Sequence, residues 1–276
     1  MKNNIGKLSV FTAMVFLIAC GMGNSGSQEI EKHEAITSMP PKVQGEGQDL
    51  LDKCILAHGG MQRWNEFEGL AYTLINNGTP VYQLTHLKDR RAFIESEAYT
   101  VGYNGAVAWA LPDASKLPGK SVAFYYNLDF YFVGIPFVLM DPGVKLEDLG
   151  VQRIDSTDYL CLKVAYGESV GLTPDDVYFL YLDPSTYMLR ILVYSITYFK
   201  DTPPDQAFSS AKVYSGYQYV QGIMMPGKME NFVWQDGSLG TSKNHVRLFK
   251  DYQFLTEIED KARFEPPQDA KKESIE

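Results

Sequence analysis

Four histidines, two mid-chain cysteines, one strand-borne serine and a pair of aspartates are the residues of this 276-residue chain best suited to chemistry. A metal site needs ligands at a defined spacing. His33, His58, His86 and His245 fall in no H-E-x-x-H or comparable pattern, so no metal is expected. His58 ends a helical run, where a charged imidazole would suit the negative end of the helix dipole. Cys54 sits on an apolar helix face and Cys161 in an alternating strand. Both read as buried free thiols, with a bridge between them as the alternative. Ser195, in Tyr194-Ser195-Ile196, lies mid-strand, and the chain has no G-x-S-x-G elbow. Asp175-Asp176 follows Thr173-Pro174 and reads as a turn rather than an acid–base pair. No cofactor is expected, and an enzyme would need residues that converge only in three dimensions.

Cys20 is different. Lys2 and Lys7 form a positive leader, and Leu8 to Ala19 is a mostly apolar run. That run is too short for a membrane span, which needs ~20 residues, and has the length of a secretory core. It ends in Leu17-Ile18-Ala19-Cys20, which resembles the bacterial lipobox. The resemblance implies cleavage before Cys20 and lipidation of its thiol, so that the anchor at Cys20 holds the protein to a membrane. Gly21, rather than Asp, follows, which favours the outer membrane. Loss of Lys2 and Lys7 takes the formal charge from -9 to -11. An acidic chain of this kind does not bind nucleic acid through bulk electrostatics.

The elements that must position any site begin after a flexible tether. Residues 20–47 are rich in Gly, Ser, Gln, Glu and Pro and carry little to bury. The expected organisation is a signal peptide over 1–19, a tether over 20–47, a β domain over 48–260 and a charged, disordered tail over 261–276. The domain opens with QDLLDKCILAHGG, in which Leu50, Leu51, Cys54, Ile55 and His58 share a helix face and Gly59-Gly60 stops it. From Leu70 onward the alternation is that of strands, with turns at Asn77-Gly78, Asn104-Gly105 and Asp183-Pro184-Ser185-Thr186. The fold class is mainly β (α+β): a strongly bent antiparallel sheet, or incomplete barrel, of about nine to eleven strands. An N-terminal helix and a helical or loop plug accompany it. In MLRILVYSITYF both strand faces are largely apolar, so both must be covered.

The lipobox, the tether, the helix ending in Ala57-His58-Gly59-Gly60, and Trp64 occur in that order. Tyr103-Asn104-Gly105, Trp109 and the hairpin Tyr178 to Thr186 follow. Together, over residues 48–256, they resemble the lipoprotein-carrier (LolA/LolB) superfamily. The resemblance implies a bent antiparallel barrel, helices across its open side and an apolar cavity for acyl chains. The insertion over 111–150 departs from the pattern.

Eighteen Tyr and fifteen Phe suit sheet packing, but DFYFVGIPFVLMDPG, Asp129 to Gly143, stands outside the alternating strands. Val122 to Tyr126 reads as a strand or an approach to it. Gly134 and Pro136 make the rest loop-like or short-helical. Such a segment either plugs the barrel or covers an apolar ligand. Candidate ligand-binding residues are Trp109, Phe124, Tyr126, Phe130, Phe132, Phe137, Leu139, Met140, Leu192 and Tyr194. The function read from the chain is non-catalytic binding of an apolar ligand, a lipid or a lipoprotein acyl chain, by a lipid-anchored envelope protein. The alternative is an outer-membrane interaction lipoprotein with a filled core; a hydrolase comes third. Replacement of Cys20 by Ser should move the protein from the membrane pellet to the soluble fraction; continued membrane attachment would contradict lipidation at Cys20.

Overall fold

The computed structural model describes residues 47–117, 121–166, 176–195 and 208–275. The expected signal peptide, 1–19, and all but the last residue of the expected tether, 20–47, lie outside these residues. Two short helices open the domain, α1 (Gln48–Ala57) and α2 (Met61–Asn65). A meander follows: β1 (Gly69–Asn76), β2 (Thr79–His86), β3 (Ala92–Glu95), β4 (Thr100–Tyr103) and β5 (Val107–Leu111). After it come α3 (Val122–Gly134) and a 3-10 turn, Phe137–Met140. The second meander is β6 (Val144–Ile154), β7 (Thr157–Tyr166), β8 (Val177–Leu182), β9 (Leu189–Tyr194) and β10 (Ser210–Ser215). The short pair β11 (Gln218–Val220) and β12 (Ile223–Met225) precedes β13 (Lys228–Gln235), β14 (Ser238–Leu255) and β15 (Lys271–Ser274).

Thirteen strands form one antiparallel sheet in the order β15-β5-β4-β3-β2-β1-β14-β13-β10-β9-β8-β7-β6. The long β14 joins the two meanders by pairing with β1 on one side and β13 on the other. The expected Asn77-Gly78 hairpin is present: both residues take positive φ, 48° and 88°, as a two-residue turn matched to sheet twist requires. Asp183 holds the other expected turn, its Oδ1 accepting from the backbone N–H of Ser185 and Thr186 at 3.0 and 2.9 Å. Among the described residues no helix is long and apolar enough to cross a membrane.

The sheet is bent because α3 touches both of its wings. Tyr126 packs on Tyr103 of β4, with centroids 4.4 Å apart, while Tyr131 packs on Tyr178 of β8 at 5.9 Å. In a flat sheet β4 and β8, eight spacings apart in the strand order, would lie ~38 Å from each other. Tyr126 and Tyr131 are separated by only ~7.5 Å of helix. The sheet therefore curls around α3, yet its edges β15 and β6 do not pair. The strand expected over Val122 to Tyr126 is helix instead. A segment apolar on all sides is stable as a helix only when buried all round, and burial here overrides the strand preference of its aromatics. Ile135-Pro136 ends the helix, as the restriction before proline demands.

Both faces of the strands are covered, as their composition requires. The concave face packs on α1, α2, α3 and the 3-10 turn. The convex face carries two smaller clusters, one around Trp109 and Phe264 and one around Cys161, Tyr181, Ile191 and Val193. Cys54 belongs to the concave cluster and Cys161 to the convex one, and both are free thiols. A register shift opposite Tyr181–Leu182 turns Leu189 inward beside Leu192 rather than outward with Ile191.

The tail expected to be disordered is part of the fold. Lys261–Phe264 forms a 3-10 turn that buries Phe264 beneath Trp109, whose Nε1 donates to the Phe264 carbonyl at 2.8 Å. Lys271–Ser274 then adds β15 to the edge of β5, which with the short strands raises the count above nine to eleven. The Glu273 carboxylate accepts from Ser121 Oγ at 2.8 Å and from Val122 N–H at 2.7 Å. It thus satisfies a donor at the start of α3 and suits the positive end of the helix. Glu273→Ala should lower unfolding stability by ~1–2 kcal/mol, the scale of a lost N-terminal cap. Urea unfolding indistinguishable from the parent would show that β15 does not hold α3.

Candidate functional site

A cleft of about 450 Å³ runs between α3 and the ends of β6 to β9. From α3 it is lined by Ala123, Phe124, Tyr126, Asn127, Leu128, Tyr131 and Phe132. Val144, Tyr166, Tyr178 and Tyr194 face them from four consecutive strands. Arg90, Asp141, Pro142, Asp176 and the C-terminal Ile275 complete the lining. Seven of these residues are aromatic, and the volume falls within the ~300–1,000 Å³ of small-molecule sites.

Of the ten residues singled out from sequence, the fold brings Phe124, Tyr126, Phe132 and Tyr194 together here. The other six lie elsewhere. Trp109 is on the opposite, convex face. Alternation along β5 turns Ala108 and Ala110 inward and the indole outward; a Cβ on Gly102 would come within 2.2 Å of that indole. Phe130, Phe137 and Leu139 are fully buried, and Phe137 stacks on Trp64 with centroids 4.4 Å apart. Leu192 is buried in the concave core and Met140 is half-buried against it. The apolar segment therefore does two jobs. Its second half fills the sheet, and one face of its helical first half lines the cleft.

Arg90 and Asp141 form an ion pair in the cleft lining. Arg90 donates to both Asp141 oxygens, at 2.8 and 2.7 Å, and to the Leu87 carbonyl at 2.6 Å. The Tyr131 and Tyr166 hydroxyls are hydrogen-bonded to each other. Burial pushes the phenols of Tyr126 and Tyr194 up to about 12 and those of Tyr131, Tyr166 and Tyr178 higher still. All five rings are neutral at physiological pH and present polar hydroxyls on apolar bodies. Among the described residues the buried Asn127 Oδ1 has no hydrogen-bond partner.

Behind the Phe132 and Tyr194 rings lies a buried polar chain that the sequence did not single out. Lys212 Nζ sits 4.4 Å from the Phe132 centroid and 5.3 Å from that of Tyr194, and donates to Asn231 Oδ1 at 3.0 Å. Asn231 bonds His245 Nδ1, and His245 Nε2 bonds Asn76 Oδ1, each at 3.0 Å. Asp129, the one charge in α3, forms an ion pair with Arg247 and accepts from Gln83 at 3.3 Å. Tyr72 donates to Gln83 at 2.7 Å. The available signals were Asp129, isolated in an apolar run, and Lys212, between the alternating apolar positions of β10. Tyr166 and Tyr178 were also missed; only their places at strand ends distinguish them from ordinary sheet tyrosines.

Two of the residues first considered for chemistry, His58 and Ser195, are structural. His58 is buried and donates from Nδ1 to the Cys54 carbonyl at 2.8 Å. Burial drops its pKa to about 4, so it is neutral rather than the expected cationic cap. Ser195 Oγ accepts from Val177 N–H at 2.8 Å. Among the described residues no group of three or more His, Cys, Asp or Glu could hold a metal ion.

A family of unknown function, DUF6503, matches residues 99–215, which include every residue of the cleft lining except Arg90 and Ile275. No curated protein sequence matches the chain. Among solved structures, the chain is similar to a LolA superfamily protein from Nitrosomonas europaea, with 13% identity and a TM-score of 0.45 over 78% of this chain and 96% of that one. It is also similar to a DUF1329 family protein from Desulfovibrio piger, with 12% identity and a TM-score of 0.48 over 80% and 98%. A domain from Vibrio parahaemolyticus described as an outer membrane lipoprotein-sorting protein gives 12% identity and a TM-score of 0.44 over 78% and 94%. No ligand or activity is carried over from them.

Lys212 makes stability depend on pH. Burial, and then the Arg247 charge, lower its pKa to about 7, well below the ordinary lysine value of ~10.4. Between those values the unfolded chain binds a proton that the folded one does not, so stability rises with pH. Urea unfolding should show stability rising between about pH 7.5 and 9.5, at up to ~1.4 kcal/mol per pH unit. Lys212→Met should flatten that rise. An unchanged slope in the variant would remove Lys212 as its source.

Proposed function

We propose that the protein binds an apolar or amphiphilic ligand, such as a lipid or a lipoprotein acyl chain, in the cleft beneath α3 and performs no chemistry on it. The cleft itself carries the reading: about 450 Å³ lined by seven aromatic rings together with Ala123, Leu128, Val144 and Ile275. Burying a chain there gains ~0.8 kcal/mol per CH₂ removed from water, and apolar concave sites with a few polar groups are the usual form of ligand pockets. The motif resemblance to the lipoprotein-carrier superfamily supports the same reading.

The leader, the Cys20 lipobox and the tether over 20–47 fit a protein tethered by lipid to the outer membrane, with the cleft domain held a short distance from the bilayer. Two or more acyl chains anchor stably where one is marginal. The competing reading is an interaction protein with a filled core. It draws on Phe130, Phe137 and Leu139, which are packed solid, and it assigns no role to the cleft.

Filling the cleft separates the two. Leu128→Trp places an indole in the cleft from a half-buried position. The parent should bind the neutral fluorophore N-phenyl-1-naphthylamine with a blue-shifted, enhanced emission. Leu128→Trp should weaken that binding at least ~10-fold at an unchanged melting temperature, the scale of ~1.4 kcal/mol. Equal binding by parent and variant would place the ligand elsewhere, and no binding by either would favour the filled core.

A further inference from the structure

The chemistry of the cleft lining restricts the ligand beyond its being apolar, an inference that rests on the binding role just proposed. We infer that the ligand is a cationic amphiphile, an apolar chain ending in an ammonium group, with that group held among Tyr131, Tyr166, Tyr178, Asn127 and Asp176.

Four observations meet at this end of the cleft. First, three tyrosine rings from three elements lie together. Tyr178 has its centroid 5.9 Å from Tyr131 and 5.8 Å from Tyr166. Ring faces attract cations within ~6 Å, and more strongly when water is excluded. Second, the Asp176 carboxylate belongs to the same group: it is only 4% exposed, lines the cleft, and raises the phenol pKa values of all three tyrosines. Third, Asn127 lies one helical turn before Tyr131, on the same face of α3. Among the described residues its buried Oδ1 has no donor, a state that desolvation penalises unless a ligand N–H supplies one. Fourth, Tyr131 is in the last turn of α3, which contains no basic side chain. The partial negative charge of the helix C-terminus therefore acts here with no basic side chain of the helix's own last turn to offset it.

Among the described residues an anionic head has no equivalent place. Arg90 is the cation that lines the cleft among them, and both its carboxylate-facing bonds go to Asp141. Displacing Asp141 would leave that aspartate to be resolvated. Lys212 is buried against the Phe132 and Tyr194 rings, 4.4 and 5.3 Å from their centroids, and is not among the residues that line the cleft. The alkyl part then runs back along α3 toward Phe124 and Ile275, ~10 Å away for the seven residues from Tyr131 to Phe124.

Isothermal titration of the full-length protein with dodecylammonium, dodecyl sulfate and neutral dodecyl maltoside, each below its micellar concentration, tests this. Dodecylammonium should bind at least tenfold tighter than either of the others. Asp176→Asn should erase that preference, bringing the dodecylammonium affinity down toward that of the maltoside. Equal affinities, or a preference for sulfate, would overturn the ammonium site while leaving an apolar cleft intact. No binding of any of the three would overturn the binding role itself. If Asp176→Asn does not fold, Asn127→Leu takes its place, with a smaller loss of the same preference expected, and the ranking by the parent protein still decides.

Discussion

Asp129 is the only charge in a thirteen-residue helix that is otherwise apolar on all sides, and it meets Arg247 of β14 inside the curl of the sheet. Asp129 is 3% exposed and Arg247 8%. Taking either partner away would strand the other charge in a dry interior, at a cost of ~3–5 kcal/mol. The helix can therefore sit in the sheet only where Asp129 reaches Arg247. A pair of this kind adds little net stability, because desolvation offsets its attraction. Its consequence is positional. With Asp129 fixed, Phe130 and Val133 enter the core, and Asn127, Leu128 and Tyr131 face the cleft.

Packing then follows from that seat. Tyr126 meets one wing of the sheet, Tyr131 and Phe132 meet the other, and the sheet bends to reach both. The C-terminal segment secures the far end of the helix by setting Glu273 against its first turn. The cleft is the space left where the β6–β9 wing does not close completely on α3. It is a product of the same helix that fills the core, and this is why the apolar insertion answers both halves of the question it raises in sequence.

Much of the fold was legible because it depends on local rules. Asn77-Gly78 specifies its turn, Asp183 caps its own, and the apolar faces of β8 and β9 announce that both sides are covered. What was not legible depends on partners distant in sequence. KKES, residues 271–274, has no strand signal of its own; its pairing with β5 supplies the order. Val122–Gly134 is rich in strand-preferring aromatics, and only all-round burial makes it helix. Trp109 could have been placed from the parity of β5, since small Ala108 and Ala110 leave room on the side where α3 packs. Lys212, Asn231 and His245 are unremarkable residues in separate strands, brought into one row by the registers Lys212↔Asn231 and Asn231↔His245.

The central claim is that α3 leaves a cleft which a chain-bearing ligand occupies in the cell. Native mass spectrometry of the protein extracted gently from its own membranes measures this directly. The account predicts a population heavier than the same polypeptide measured after denaturation by the mass of one amphiphile, which dissociates on collisional activation and is absent from Leu128→Trp. Protein that emerges at its denatured mass alone, from every mild extraction, would contradict it.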